Sequence, residues 1–300
     1  MTVFDNIYCI IKLSEFDYLH LSDQRKITFQ KLNETKQDHI RDSHENQRSF
    51  ISNLKKLSKK IGIEIIYVNE KDMGTVHPGK NDLILSCGGD GTFLSCAQLY
   101  QTSILLGMNS DYKPRGGLGS YGALTTTNRM NLEEHLHHLI NQKFEIDHWN
   151  RLQVEINGEL IDRYAVNDIY FGQEISYQTC NISILQSGIE QSFNCSGVLC
   201  CTGMGSHAWY YNAGRSPFSN ELDVFGFSVL FPNLKRSLEF SCGIISSKQK
   251  LVMYPEGDDY ILSFDSKPDV IKTELGDEIK ITLAPNKAIK VISFYDKEKH

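Results

Sequence analysis

The chain has 300 residues, 40% hydrophobic and 23% charged, a length for two domains or one large one; 31 Lys and Arg against 37 Asp and Glu give a formal charge of -6. This composition excludes a largely disordered, collagen-like or membrane-embedded chain, and the mildly acidic balance argues against nucleic acid as a partner, since nonspecific binding needs a basic surface. It leaves an anionic small substrate open, because a local nest of backbone N–H groups needs no net positive charge.

In chain order, residues 7–12 (IYCIIK) read as a short buried strand and residues 31–60, rich in Gln, Lys, Glu and Leu without Pro or Gly, as a helix. Strands follow at 63–68, at 82–86 after a turn at 77–80, and at 103–108; residues 87–92 (CGGDGT) lead from the third strand into a helical stretch ending at Tyr100. A glycine-rich loop, 115–122 (RGGLGSYG), precedes a helix over 131–141 with Asn131 as its cap. His135, His137 and His138 lie on that helix and read as its solvated face. Beyond residue 148 the pattern turns to alternation, with strands at 152–156 and 160–164 around an Asn157-Gly158 hairpin turn. Further strands are expected at 168–171, 180–185, 198–201, 225–231, 251–253, 260–264, 278–283 and 288–294, with a turn at Asp258-Asp259 and one helix over 206–212. Tyr210-Tyr211 reads as core or rim. The expected fold is an α/β N-terminal domain with a parallel sheet, residues 1–147, and a mostly β C-terminal domain, residues 148–300.

Eight cysteines run from Cys9 to Cys242 with no C-x2-C pair, which disfavours a structural zinc site and a secreted disulfide framework and reads as buried thiols in a reducing compartment. The N-terminus has neither the basic and apolar regions of a signal peptide nor the character of a transit peptide. No apolar run approaches the roughly 20 residues that cross a bilayer. The expected location is the cytoplasm, with no membrane partner.

Gly88-Gly89-Asp90-Gly91-Thr92 carries the chemistry. Between an apolar strand and a helix, three glycines let the backbone approach a phosphate, the helix N-terminus points N–H groups at it, and Thr92 adds a hydroxyl. A carboxylate beside a phosphate is repelled unless it accepts a proton from an attacking hydroxyl or holds a metal; the alternative is a tight turn whose helix Asp90 caps. Spacing and the missing lysine rule out a Walker A loop and a GxGxxG fingerprint.

GGDGT after a buried strand resembles the motif shared by NAD kinases, diacylglycerol and sphingosine-type lipid kinases and, more distantly, 6-phosphofructokinases, which all transfer a phosphoryl group to a hydroxyl. Three stretches favour the NAD kinases. Asn167-Asp168 stands where the family carries Asn-Glu. Residues 196–217 resemble its glycine-threonine-serine segment: Thr202, Gly205, Ser206, Ala208, Ala213 and Gly214 match, Trp209 replaces a Tyr, Met204 and His207 replace threonines, and Ser196 stands for an Asp. Residues 107–119 match at Asn109, Leu118 and Gly119, with Lys113 and Arg115 as candidate phosphate contacts. Arg151, the Asp265 stretch and residues 275–279 also resemble family features. The Gly-x-Gly-Ser-x-Ala-Trp form and the Arg115 spacing resemble the divergent, mitochondrial-type branch.

The resemblance covers about residues 80–295 and implies an NAD kinase-like two-domain fold, with the last strands packing back on the first domain and substrate in the crevice between domains. It implies NAD as phosphoryl acceptor, ATP or polyphosphate as donor, Mg2+ arriving with ATP, no resident metal, and a homodimer or homotetramer. Asp90 would accept the proton of the adenosine 2′-hydroxyl; Gly88, Gly89, Gly91 and Thr92 would cradle phosphates; Asn167 and Asp168 would orient NAD; Thr202, His207, Ala208, Trp209 and Asn212 would form the ring-binding surface, with Asp265 near the substrate. Two alternatives stay open: a lipid kinase with an apolar cleft, and a non-catalytic NAD(P)-binding sensor, motivated by Met204, His207, Ser196 and Asp168.

Overall fold

In the computed structural model, which describes residues 3–113, 122–175, 178–234 and 238–294, the chain divides into two compact units, Met1–His148 with Ile289–His300, and Trp149–Ala288. The chain runs through β1 (Ile7–Ile11), α1 (Glu15–Leu19), α2 (Asp23–Gln30), α3 (Glu34–Ile61), β2 (Ile66–Asn69), β3 (Leu83–Gly88), α4 (Asp90–Leu99), β4 (Ile104–Asn109), α5 (Leu132–Ile140) and β5 (Glu145–Trp149). The second unit contains β6 (Leu152–Ile156), β7 (Glu159–Ala165), β8 (Asp168–Gln173), β9 (Cys180–Gln186), β10 (Ile189–Cys195) and β11 (Gly197–Cys201). It continues with a short α6 (Trp209–Asn212), β12 (Val224–Leu230), β13 (Cys242–Ser246), β14 (Leu251–Pro255), β15 (Tyr260–Phe264), β16 (Ile271–Thr273) and β17 (Ile279–Leu283), before β18 (Ile289–Ser293) returns to the first unit.

The first unit is built on a sheet of order β2-β1-β3-β4-β18-β5, in which β2, β1, β3, β4 and β18 run parallel. Its central strands β3 and β4 are buried at every position, as parallel strands covered on both faces must be. Helix α3 forms where the sequence offers an uninterrupted run with defined ends. The Asn33 side chain accepts from the Lys36 N–H at 2.8 Å, and Gly62 closes the helix in the left-handed conformation at φ 75°. Its face of Ile40, Phe50, Leu54 and Leu57 is buried.

The second unit holds two six-stranded antiparallel sheets, β10-β9-β14-β17-β6-β7 and β13-β12-β11-β8-β15-β16. Alternating residues of both, among them Val154, Ile184, Phe193, Phe171, Phe227 and Phe264, share one core. Strand β8 lies between β11 and β15, with Asp168 at its start opposite Cys201 at the end of β11. That register brings the chain on either side of β8 together with the turn leaving β11.

Several expectations need correction. The helix expected over 206–212 is a 3-10 turn, Gly205–His207, then a break at Ala208 (φ -99°, ψ -119°), then the four-residue α6. His135 does not lie on a solvated face: it is 9% exposed, meets the Thr127 hydroxyl at 2.9 Å through Nδ1 and stacks on Phe294 at 4.0 Å. Burial, reinforced by His138, lowers its pKa to about 4. Asn131 precedes α5 but makes no cap bond. Its Oδ1 instead accepts from the Asn128 N–H at 2.7 Å and its Nδ2 donates to the Thr126 carbonyl at 3.0 Å.

A serine, as good a helix cap as asparagine but too short to make both bonds, should therefore not substitute at this position. Asn131→Ser is expected to cost about 1 kcal/mol, read as a lowered thermal midpoint; an unchanged midpoint would return Asn131 to a capping role.

Candidate functional site

In the first unit the loop between β3 and α4 is shaped by Gly89, which is extended (φ -129°, ψ -164°) and places Asp90 in the first turn of α4. The Asp90 carboxylate accepts the Leu124 N–H at 2.8 Å through Oδ1 and the Ala123 N–H at 3.1 Å through Oδ2. It thus clamps a distant loop to the helix N-terminus, and each oxygen keeps a further lone pair. Gly88 serves packing: a Cβ there would fall 2.8 Å from the Thr92 Cβ and 3.0 Å from the Lys12 Cβ. Thr92 is 2% exposed, with its hydroxyl against Gly88. A Cβ on Gly91 would meet open space. Asn109 is buried at the end of β4, and Ser110 donates its N–H to the Gly88 carbonyl at 3.0 Å. The Lys113 Nζ lies 3.4 Å from the His39 Nδ1. Arg115, Leu118 and Gly119 lie outside the described residues.

In the second unit Asp265, in left-handed conformation at φ 52°, faces residues 166–168. Its carboxylate accepts the N–H groups of Asn167 at 2.7 Å, Val166 at 3.1 Å and Asp168 at 3.3 Å, and its own N–H donates to the Asp168 carbonyl at 2.8 Å. Asp265 is 4% exposed, so it shapes this backbone from behind. Thr202 works from the other side: its hydroxyl donates to the Val166 carbonyl at 2.5 Å and accepts the Gly205 N–H at 3.1 Å. Gly205 lies so close that any Cβ would run into the Asn167 carbonyl. Ser206 donates to the Gly203 carbonyl at 2.7 Å and accepts the Phe218 N–H at 3.0 Å, pinning the turn from β11 into α6.

This scaffold leaves buried acceptors without protein partners. Among the described residues, Asn167 Oδ1, Asp168 Oδ1 and Asn220 Oδ1 have none. An unsatisfied buried acceptor costs about 1–3 kcal/mol, so such groups point to a ligand or water carrying donors. Asp168 is 3% exposed; burial, with the Asp265 charge second, pushes its pKa up to about 8. Arg151 was noted in the sequence only as a resemblance. It proves almost fully buried, donates to the Lys287 carbonyl, faces the Tyr164 ring at 4.8 Å, and has its pKa drawn down to about 10 by burial.

Trp209 stacks on Tyr170 at 5.5 Å between centroids and 21° between planes. It remains 37% exposed, and with Asn212, Arg215, Leu230, Phe231 and Leu234 it lines a cavity of about 610 Å3. His207 is exposed and Ala208 half-buried, and neither lines that cavity. Tyr210 is core and Tyr211 is exposed. Sequence reasoning missed Tyr170 and Asn220, because nothing local distinguishes an aromatic inside an apolar strand or an amide in a polar loop.

The Asp168 burial makes a pH prediction. Above pH about 4 the unfolded chain loses this proton while the folded chain keeps it up to about 8, so stability falls as pH rises across that window, by at most about 1.4 kcal/mol per pH unit. Asp168→Asn removes the slope: the thermal midpoint of the variant should gain on wild type steadily from pH 5 to 8. A constant difference over that range would mean that Asp168 is ionised in the fold.

No protein-family model matches the chain. An NAD kinase of Rhodococcus erythropolis is 32% identical over 192 residues, 60% of this chain and 57% of that protein. An NAD kinase of Desulforamulus reducens is 29% identical over 227 residues, 72% of this chain and 75% of that one. The chain spans little more than half the length of the Rhodococcus relatives it matches, 57% and 52% for R. erythropolis and R. opacus. Among solved structures, an NAD kinase from Archaeoglobus fulgidus in complex with ATP superimposes with a TM-score of 0.64 at 16% identity, covering 97% of this chain and 94% of that one. Yeast NADH kinase complexed with NADH gives 0.67 at 18% identity, covering 98% and 85%. In sequence the chain is thus similar to NAD kinases, and its fold is the one that NAD kinase structures adopt.

Proposed function

We propose that the chain is an NAD kinase, which transfers the γ-phosphoryl group of ATP to the 2′-hydroxyl of the adenosine ribose of NAD and releases NADP and ADP. The observation that carries this reading is the pair of buried, partnerless acceptors Asn167 Oδ1 and Asp168 Oδ1, set beside a glycine turn and an aromatic stack. Ribose hydroxyls and an amide NH2 supply the donors these oxygens lack, and the exposed face of Trp209 supplies a platform for a ring. Sequence relatives named NAD kinase support the same assignment.

In the proposed reaction the ribose oxygen forms a bond to the γ-phosphorus as the bond to the ADP oxygen breaks, and Asp90 takes the hydroxyl proton. Its two backbone hydrogen bonds hold the carboxylate in one orientation and leave lone pairs for that proton. Gly88, Gly89 and Gly91 belong to the phosphate loop, Gly91 being open to an approaching ligand. Thr202 and Asp265 act as positioning residues for Asn167 and Asp168; Trp209 and Asn212 bind the ring, with His207 and Ala208 at its margin. In this reading Mg2+ enters as part of the donor MgATP. The Asp90 bonds also suit a non-catalytic NAD(P) sensor, since a carboxylate that clamps a loop needs no chemistry to explain it. Turnover separates the two readings.

Purified protein with NAD, MgATP or polyphosphate should form NADP; binding of NAD with no product from any donor would select the sensor. Asp90→Asn should lower turnover at least about 100-fold, as loss of a general base does, with NAD binding retained. Because the amide replaces an acceptor with a donor, its thermal midpoint should also drop, and turnover that survives would reduce Asp90 to a clamp. Trp209→Ala should weaken NAD binding by about tenfold, the upper end of an aromatic stacking contribution, with little change in kcat.

A further inference from the structure

The thiols of Cys180 and Cys195 are 3.9 Å apart. They are directly opposed in the antiparallel register of β9 and β10. Opposed residues of such a pair have Cα atoms about 4.5–5.5 Å apart, inside the range a disulfide spans, so a bond forms by side-chain rotation together with a small shift of the backbone at the end of β10. Among the described residues no other cysteine pair is directly opposed in this way, although Cys9 and Cys87 also share a side-chain hydrogen bond. Cys9 faces Leu85 and Cys87 faces Ile11, one step apart on the diagonal, while Cys200 and Cys201 are chain neighbours pointing to opposite faces of β11.

We propose that Cys180 and Cys195 form a site of reversible oxidation that controls the aromatic wall beside Trp209. The oxidant class is a hydroperoxide. One thiolate attacks the peroxide oxygen, releasing an alcohol or water and leaving a sulfenic acid; the second thiol attacks that sulfur, the S–S bond forms, and water leaves. Two thiols lose two electrons in all, the peroxide gains them, and an external dithiol reverses the step. Cys180 is the attacking group: the hydrogen bond from Cys195 lowers its pKa, while Cys195, held beside a second thiol, is raised. Both are buried, yet Cys180 opens β9 and Cys195 ends β10, the edge strand of its sheet, where fraying admits a small oxidant.

The consequence follows from the next residue. The Ser196 carbonyl accepts the Tyr170 hydroxyl at 2.7 Å, and a Cβ at Gly197 would strike the Tyr170 ring, so this ring is held by the two residues after Cys195. Tyr170 in turn carries the Trp209 stack. Drawing Cys195 toward Cys180 moves the carbonyl that fixes Tyr170 and loosens the stack. The effect on nucleotide affinity rests on the NAD reading; the cross-link does not.

The test treats the full-length protein with hydrogen peroxide, blocks remaining thiols and maps the cysteines by mass spectrometry. Two of the eight thiols should disappear into a Cys180–Cys195 linkage that dithiothreitol reverses. Tryptophan emission should shift with the linkage, and NAD affinity should fall at least about fivefold, the lower end of a coupled equilibrium. Both changes should be absent in Cys180→Ala and in Cys195→Ala, two variants so that one misfolded protein does not end the test. No linkage in wild type, or linkage between other cysteines, overturns the proposal. Linkage with unchanged emission and affinity overturns the control of the wall. If neither redox state binds NAD but emission still shifts, the switch stands and the nucleotide reading fails.

Discussion

Everything distinctive about the second unit depends on one buried carboxylate. Asp265 would be costly to bury alone, since an unpaired charge in the interior loses several kcal/mol of hydration. Three backbone N–H groups from residues 166–168 offset that loss, and the buried Arg151 adds favourable charge, felt as an upward pull on its own pKa. The exchange fixes three consecutive peptides, and of their side chains Val166 is buried while Asn167 and Asp168 each keep an oxygen without a protein partner. Thr202 and Gly205 then close on the same backbone, and the partnerless oxygens of Asn167 and Asp168 follow from that closure. Asp90 repeats the device in the first unit, where one carboxylate holds the N–H groups of Ala123 and Leu124. In both units an aspartate orders a loop at the place where the sequence carries its most informative residues.

Sequence reading reached these places unevenly, for physical reasons. Strands β3 and β4 were legible because continuous apolar runs leave no other way to bury them. Strand β10 was missed because it lies at a sheet edge, with most of its residues partly or fully exposed, and its composition (IEQSFNC) reads as loop. Strands β5, β13 and β16 were missed as well, and all three stand at sheet edges. The break inside 205–212 was not legible because long-range bonds make it, from Ser206 to Phe218 and from Gly205 against Asn167.

The same division runs through the site. GGDGT and Trp209 announce themselves by residue type and spacing. That Thr92 turns inward against Gly88, and that Asp265 works through peptides nearly a hundred positions earlier, are properties of tertiary contact, invisible to any window along the chain. Local chemistry names which residues matter; the topology decides which of them face a ligand and which only hold the others.

The lining also discriminates between ligand classes. Burial pushes the Asp168 pKa well up, which favours the protonated form, one O–H donor beside the partnerless acceptor. A ribose diol matches either state, since each hydroxyl can both donate and accept, and its donation to the carboxylate favours release of the proton. An acyl chain can do neither, and covering these oxygens with hydrocarbon would leave their desolvation cost unrelieved. The cavity beside Trp209 is lined without Asn167 and Asp168, and it is the partnerless oxygens of those two residues that disfavour hydrocarbon. Those two oxygens therefore favour a hydroxyl-bearing ligand over an acyl chain on energetic grounds, independently of any likeness to other proteins.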